Sequence, residues 1–325
     1  MKRSILIGSL LLVLCMFSVW VPLLRAQSYP TYPIQLIIPG NPGDGADIAA
    51  RMFAEEFAKV LNVAVVPLNK PGASGAIAGD FVVKGKKDGY TLLYANTSSV
   101  VYGKASDPDA VPYDPVKDLE PLGYHTLFPT VASVRADAPW NNFNELAEYS
   151  RKNPDKVRWG TMGVSTIDHV QWEMAKAIAG AGKITMIPFK GMSGKTTALL
   201  GGHVEVTSFP LAQFQEHYKA KKIKGILIDH KVPEFPELLT LQELGFKRGI
   251  PSPWTAVFAP IGIPEEARKV LIPAIEKAVR NPELMSRMQK LWYIPGYKNP
   301  AELRELLIRD YENARATFKQ AGVTK

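Results

Sequence analysis

Ile34 to Ile38 is a short unbroken apolar run that stops at Pro39 and gives way to a loop of glycine, proline and aspartate, the pattern of a buried strand feeding a turn. Beyond that loop Ala49, Met52, Phe53, Phe57, Val60 and Leu61 recur at helical spacing, with charged residues on the other face. Val63 to Leu68 predicts a second strand, Ala76 to Lys84 a second helix, and Tyr90 to Tyr94 a third strand. A second alternating set starts at Thr130–Val134. It continues with a helix over 143–152, a strand over 157–159 and a helix over 167–178. A strand over 184–189, a helix over 194–200 and strands over 204–207 and 223–228 complete it. Strand, loop and helix alternating in this way predicts an α/β fold, with a mostly parallel sheet flanked by helices in each of two lobes. Pro264 to Arg280 and Pro300 to Gln320 read as helices with proline in the first turn, free to pack on either lobe.

The first 26 residues have a different pattern. Lys2 and Arg3 precede an apolar run from Ile5 to Trp20, and Leu24-Arg25-Ala26 offers a cleavage site, so 1–26 reads as a secretory signal peptide and the mature chain as starting near Gln27. The run is shorter than the roughly 20 residues a membrane span needs, and Pro22 and Arg25 close it. Export is the expectation. Cys15, the single cysteine, falls inside this leader and follows Leu14, where a lipoprotein acceptor site would want a small residue. The mature chain then holds no disulfide, thiolate metal site or cysteine nucleophile. The formal charge of +8 becomes 8 − 3 = +5 once Lys2, Arg3 and Arg25 are removed. Short basic runs such as Lys84 to Lys87 and Lys219 to Lys222 are scattered and lack interleaved aromatics, which argues against nucleic-acid binding.

In an open α/β sheet, ligands sit beyond the carboxyl ends of the strands, where loops feed helix N-termini. Three such loops are rich in glycine and hydroxyl residues: 39–45, 71–75 and 160–166. Their backbone amides suit an anion. The glycines at 40, 43 and 45 do not fit the dinucleotide spacing, and the chain has no P-loop lysine, H-E-x-x-H or G-x-S-x-G. The five histidines are dispersed, so neither a cofactor nor a metal is expected.

At these loops the sequence resembles the substrate-binding receptors of tripartite tricarboxylate transporters, the Bug family. Eight stretches carry the likeness in order: Pro39 to Arg51, Asn69 to Gly75, Lys87 to Leu93, Tyr113 to Asp118, Gly160 to His169, Pro188 to Gly191, Leu200 to Val204 and Phe258 to Gly262. The resemblance implies a type II periplasmic binding fold, a Venus flytrap that closes on a small organic carboxylate and delivers it to inner-membrane transporter subunits. It implies a periplasmic monomer and no catalysis. On this reading residues 27–125 with 254–325 form one lobe and 126–253 the other, hinged near 124–128 and 250–256. Carried over by position, Gly43, Asp47, Ser74, Thr97 and Ser98 would line the first lobe's wall, and Gly163, Ser165, Thr166 and His169 the second's. Asp44 and Ser208 join them as departures: the family usually has glycine at 44 and an aromatic at 40, where this chain has Gly40, and it varies around Ser208.

Bland readings stand beside these roles. Asp44 and Asp47 open a helix, where N-capping and dipole complementarity also favour aspartate. Gly43 and Gly163 satisfy a turn that needs positive φ equally well. Thr97, Ser98, Ser165 and Thr166 suit caps, and the tryptophans suit packing. Two other functions remain open: an exported α/β hydrolase using Ser165 and His169, and a sensor that binds the same solute and signals through a membrane protein.

Overall fold

The computed structural model describes residues 29–163 and 166–321. The leader with Cys15, and Ser165, lie outside the described residues. In chain order the first part holds β1 (Ile34–Ile38), α1 (Gly45–Leu61), β2 (Val65–Asn69), α2 (Ala76–Val83), β3 (Thr91–Asn96), α3 (Gly103–Ser106) and β4 (Leu119–Leu127). The middle part holds β5 (Thr130–Arg135), α4 (Phe143–Lys152), β6 (Val157–Thr161), α5 (Ile167–Ala179), β7 (Ile184–Pro188), α6 (Gly191–Leu200), β8 (Val206–Pro210), α7 (Leu211–Lys219) and β9 (Ile223–Ile228). The chain then returns through β10 (Trp254–Pro260), α8 (Glu265–Val279), α9 (Pro282–Lys290), β11 (Ile294–Pro295) and α10 (Pro300–Ala321).

These strands make two sheets, ordered β11-β4-β10-β3-β1-β2 and β7-β6-β8-β5-β9. β1 runs parallel to both neighbours, and β6 to both of its own. The reversed interior strands are β10 in the first sheet and β5 in the second, each antiparallel to the strands on either side. Each is the strand that the chain enters on crossing from the other sheet. The crossings lie side by side, with the Phe128 amide donating to the Pro253 carbonyl at 3.0 Å.

Each sheet is covered on both faces, so its strands are apolar almost throughout. Along β1, Leu36 and Ile38 face Phe53, Phe57 and Ile275, whereas Ile37 turns to Leu93, Phe258 and Phe318 on the opposite side. In the second sheet Val134 and Trp159 face Phe143 and Trp172, and Val131 and Phe209 face Leu199 and Phe214. Fully burying each such side chain is worth about 1.5–3 kcal/mol. Trp159 and Trp172 stack at 4.8 Å, both fully buried. Helix ends follow local chemistry: Asn142 accepts from the Glu145 amide at 3.0 Å, and Glu145 accepts in return from the Asn141 amide at 2.8 Å.

Apolar periodicity did not predict β4, β10, α7 or α9. β4 carries Pro121 and Gly123 in its interior, and Pro121 lies opposite Phe258 beside a register shift, where the sheet tolerates a residue without an amide hydrogen. β10 is buried at every position, so neither alternation nor helical spacing marks it. Among the described residues no helix is long and apolar enough to cross a membrane.

One buried histidine gives the fold a measurable acid sensitivity. His125 on β4 is fully enclosed, hydrogen-bonded through Nδ1 to the Tyr94 hydroxyl, which also meets Thr255 Oγ1 at 2.9 Å. Burial pushes the ring down to about 3. Between the ordinary value of about 6.5 and that depressed one, the unfolded chain takes up a proton that the native state refuses, so stability falls as pH drops through this window. Urea unfolding from pH 7 to pH 4 should show His125→Gln losing less stability than wild type. The difference has a slope of at most about 1.4 kcal/mol per pH unit; parallel curves would show that His125 does not titrate on unfolding.

Candidate ligand site

The loop at the carboxyl end of β1 and the last residue of β2 are held by one aspartate. Asp47, in the first turn of α1 and only 2% exposed, accepts from the Gly43 amide at 2.9 Å and from Asn69 Nδ2 at 2.8 Å. Arg51 one turn later meets it with Nε at 3.0 Å and Nη2 at 2.9 Å, and Asn69 also donates to the Gly40 carbonyl at 3.0 Å. Burial disfavours the charge, but these donors, led by Arg51, outweigh it and hold the Asp47 carboxyl below the usual range. Asp47 therefore faces the protein, and the Gly43 amide is committed to it. Gly43 has φ +83° and open space where a Cβ would stand, so backbone conformation alone accounts for the glycine there.

Asp44 is exposed. Its carboxylate closes back on the Asn41 amide at 2.8 Å and makes no cap bond to α1. The same carboxylate lies 3.5 Å from where a Cβ on Gly40 would be, so it borders the space that a side chain at 40 would enter.

The second loop is bent more sharply. Gly72, Ala73, Ser74 and Gly75 all have positive φ, which costs about 1–3 kcal/mol for each of the two non-glycine residues. A Cβ on Gly75 would stand 2.5 Å from that of Ser99 and 3.0 Å from that of Pro39, so all three loops of this lobe meet there. Ser74 is half-buried and Thr97 buried, and no hydrogen bond among the described residues engages either hydroxyl. Ser98 accepts from the Ile167 amide of α5 at 3.4 Å, a contact between lobes.

A second aspartate holds the second lobe's loop. Asp168, in the first turn of α5, accepts from the Met162 amide at 2.9 Å, from Lys195 Nζ at 2.9 Å, from Trp172 Nε1 at 3.2 Å and from the Ser208 hydroxyl. Lys195 is 1% exposed and also donates to Ser208 at 3.3 Å. Ser208 is thus enclosed in an ion-pair cluster. Thr166 caps α5, accepting from the His169 amide at 3.4 Å and donating to the Gly163 carbonyl at 2.7 Å. Gly163 has φ +121° with open space around it. His169 is buried, its Nε2 has no partner among the described residues, and burial lowers its pKa, which favours the neutral ring.

The structure therefore brings Ser98 and the start of α5 together and turns Asp47 and Ser208 inward. Sequence reading missed Lys195 and the bracing roles of Arg51, Asn69 and Asp168. A signal existed: both loops precede an aspartate in the first helical turn, and Lys195 is the single charged residue of α6. Among the described residues no group of three or more His, Cys, Asp and Glu could hold a metal.

With this geometry in view, residues 49–322 match the family described as tripartite tricarboxylate transporter family receptor. The chain belongs to that family. A curated relative, a UPF0065 protein of Bordetella pertussis, is 31% identical over 79% of this chain and 80% of its own. The structure of periplasmic binding protein BugD superposes with a TM-score of 0.77 at 28% identity, covering 91% of this chain and all of that one. MatC from Rhodopseudomonas palustris, solved with bound malate, has a TM-score of 0.77 over 89% of this chain and 100% of its own; at 22% identity it speaks for the fold. These neighbours establish the two-lobed periplasmic binding protein architecture, and the family is one of solute receptors.

The ion pair at the second loop gives a stability test. Removing one partner of a buried pair leaves an uncompensated charge, at about 3–5 kcal/mol. Lys195→Met should lower the urea-unfolding free energy by that amount, and adding Asp168→Leu should restore part of it. A loss under about 1 kcal/mol would mean the pair does not hold the loop.

Proposed function

We propose that this protein is a periplasmic receptor that captures a small organic carboxylate between its lobes and presents the closed complex to the membrane subunits of a tripartite tricarboxylate-type transporter. The observation that carries it is the meeting of the Ser98 turn with the N-terminus of α5 across the lobes, in a chain of this family. In each lobe a helix start faces that region with a glycine-rich loop already braced by an internal aspartate. The remaining amides and the Ser74, Thr97 and Ser98 hydroxyls are the donors for a carboxylate. Each bond to the anion contributes about 1.5–3 kcal/mol, and a helix N-terminus adds about 0.3–1 kcal/mol. The family, described as tricarboxylate transporter receptors, supports the carboxylate class.

The lobes on this reading are 27–125 with 254–325 and 126–253, and closure turns about the paired crossings at 127–130 and 251–254. Asp44, exposed at the rim and beside Gly40, disfavours a second ligand carboxylate close by and favours a hydroxyl or amine there. The leader sends the chain to the periplasm, and the receptor acts as a monomer.

A thermal-shift panel of mono-, di- and tricarboxylates, aromatic acids and amino acids tests the proposal on the mature chain. A ligand at 100 times its Kd stabilises by about 2.7 kcal/mol, a rise of several degrees. Hits confined to carboxylates support the receptor reading; silence across the panel overturns carboxylate capture. For the carboxylate with the largest shift, Ser98→Ala should weaken binding by about 10- to 150-fold, the equivalent of one bond to the anion. An unchanged Kd by calorimetry would remove Ser98 from the site.

A further inference from the structure

Asp229 follows β9 at the base of the second lobe, 8% exposed, and among the described residues no cation pairs with it. It accepts instead from neutral donors. The Thr130 amide reaches Oδ1 at 3.0 Å, and the Thr130 hydroxyl and Gln171 Nε2 reach Oδ2 at 2.6 and 2.7 Å. Gln171 donates as well to the Pro251 carbonyl at 2.6 Å. Thr130 begins the strand after the outgoing crossing, and Pro251 and Ser252 lie on the returning one. Gln171 belongs to α5, the helix whose N-terminus meets Ser98. One buried carboxylate, directly at Thr130 and through Gln171 at Pro251, therefore links both crossings and the helix that carries the second lobe's loop.

We infer that Asp229 is a positioning residue for ligand capture, a latch whose hydrogen bonds hold the two crossings against α5 and so set the share of closed receptor. The inference rests on the receptor reading for its consequence, affinity, but its structural part can be tested without ligand. Ionised, the carboxylate accepts from these three donors; protonated on Oδ2, it must itself donate there, and one of the donations to that oxygen is lost. Burial, resisted by Thr130, Gln171 and Ser252, raises Asp229 to about 7, so the change falls near neutral pH. The titratable group facing it is Tyr102, on the helical turn after β3, whose buried hydroxyl has no partner among the described residues. Burial keeps Tyr102 protonated well above its usual range, and it faces Asp310 too, which is held by Trp254 at 2.8 Å and Arg309 at 3.3 Å. Next in the chain is His230, whose pKa burial lowers from its ordinary value.

A chain beginning at Gln27 has no cysteine, so two introduced ones report the interlobe distance cleanly. Spin labels at Lys59→Cys on α1 and Lys219→Cys on α7 would be measured by pulsed electron resonance at pH 5.5 and 8.5, with no ligand. Wild type should shift toward the longer, open distance at pH 5.5. Asp229→Asn should show the open distribution at both values, and Thr130→Val, which deletes one donor and keeps the charge, should lie between them at pH 8.5. Circular dichroism checks each fold, and Thr130→Val carries the test if Asp229→Asn does not fold. Distributions that match wild type in both variants overturn the latch. If the variants shift while the carboxylate panel stays silent, the latch stands and the receptor reading falls. If carboxylates bind while the variants do not shift, the latch falls alone.

Discussion

A loop whose amides are left free for a solute has little to hold its own shape, and the structure answers this twice with a buried aspartate. Asp47 and Asp168 stand in the first turn of the helix that each loop feeds. Each draws an upstream loop amide onto its carboxylate, from Gly43 and from Met162, and each is balanced by a cation, Arg51 or Lys195. The helix dipole favours a carboxylate at that position, so the local electrostatics and the bracing agree. The two versions differ in depth. Arg51 remains half-exposed, whereas Lys195 is fully enclosed with Ser208 and Trp172, and breaking that inner pair is the costlier change.

Around these braces the architecture follows from simple rules. Sheets covered on both faces need strands that are apolar throughout, and helices packed on each side provide four apolar clusters, two per sheet. The outgoing crossing is short and lies beside the end of the longer returning one, and the strand entered after each runs against its neighbours. Trp292, beside β11, reaches over to Phe235 and donates to Gln215 at 2.6 Å, so the two halves also touch away from the loops.

Much of this was legible in the chain. The strands at 34–38 and 223–228 and the helix at 143–152 have the observed bounds, because each combines a clear apolar pattern with a cap or breaker. β4 and β10 were hidden, the first by Pro121 and Gly123 and the second by burial on both faces, which erases periodicity. The loops could be picked out by their glycines and hydroxyls, but the direction of each side chain could not. Lys195 lies 27 positions from Asp168, and Ser208 lies 40 away, so their cluster exists only once β8 and α6 flank the start of α5. For the same reason Asp47 reads from sequence as wall or cap, and only its partners Gly43, Arg51 and Asn69 show that it faces inward.

The central claim is that the two lobes close on a carboxylate. Small-angle X-ray scattering of the mature protein, alone and with a saturating amount of the carboxylate that raises its melting temperature most, measures this directly. The account predicts a smaller radius of gyration with ligand, reversed on dialysis. An unchanged radius under saturating, calorimetrically verified binding would contradict capture by closure and place the solute on a surface that does not move.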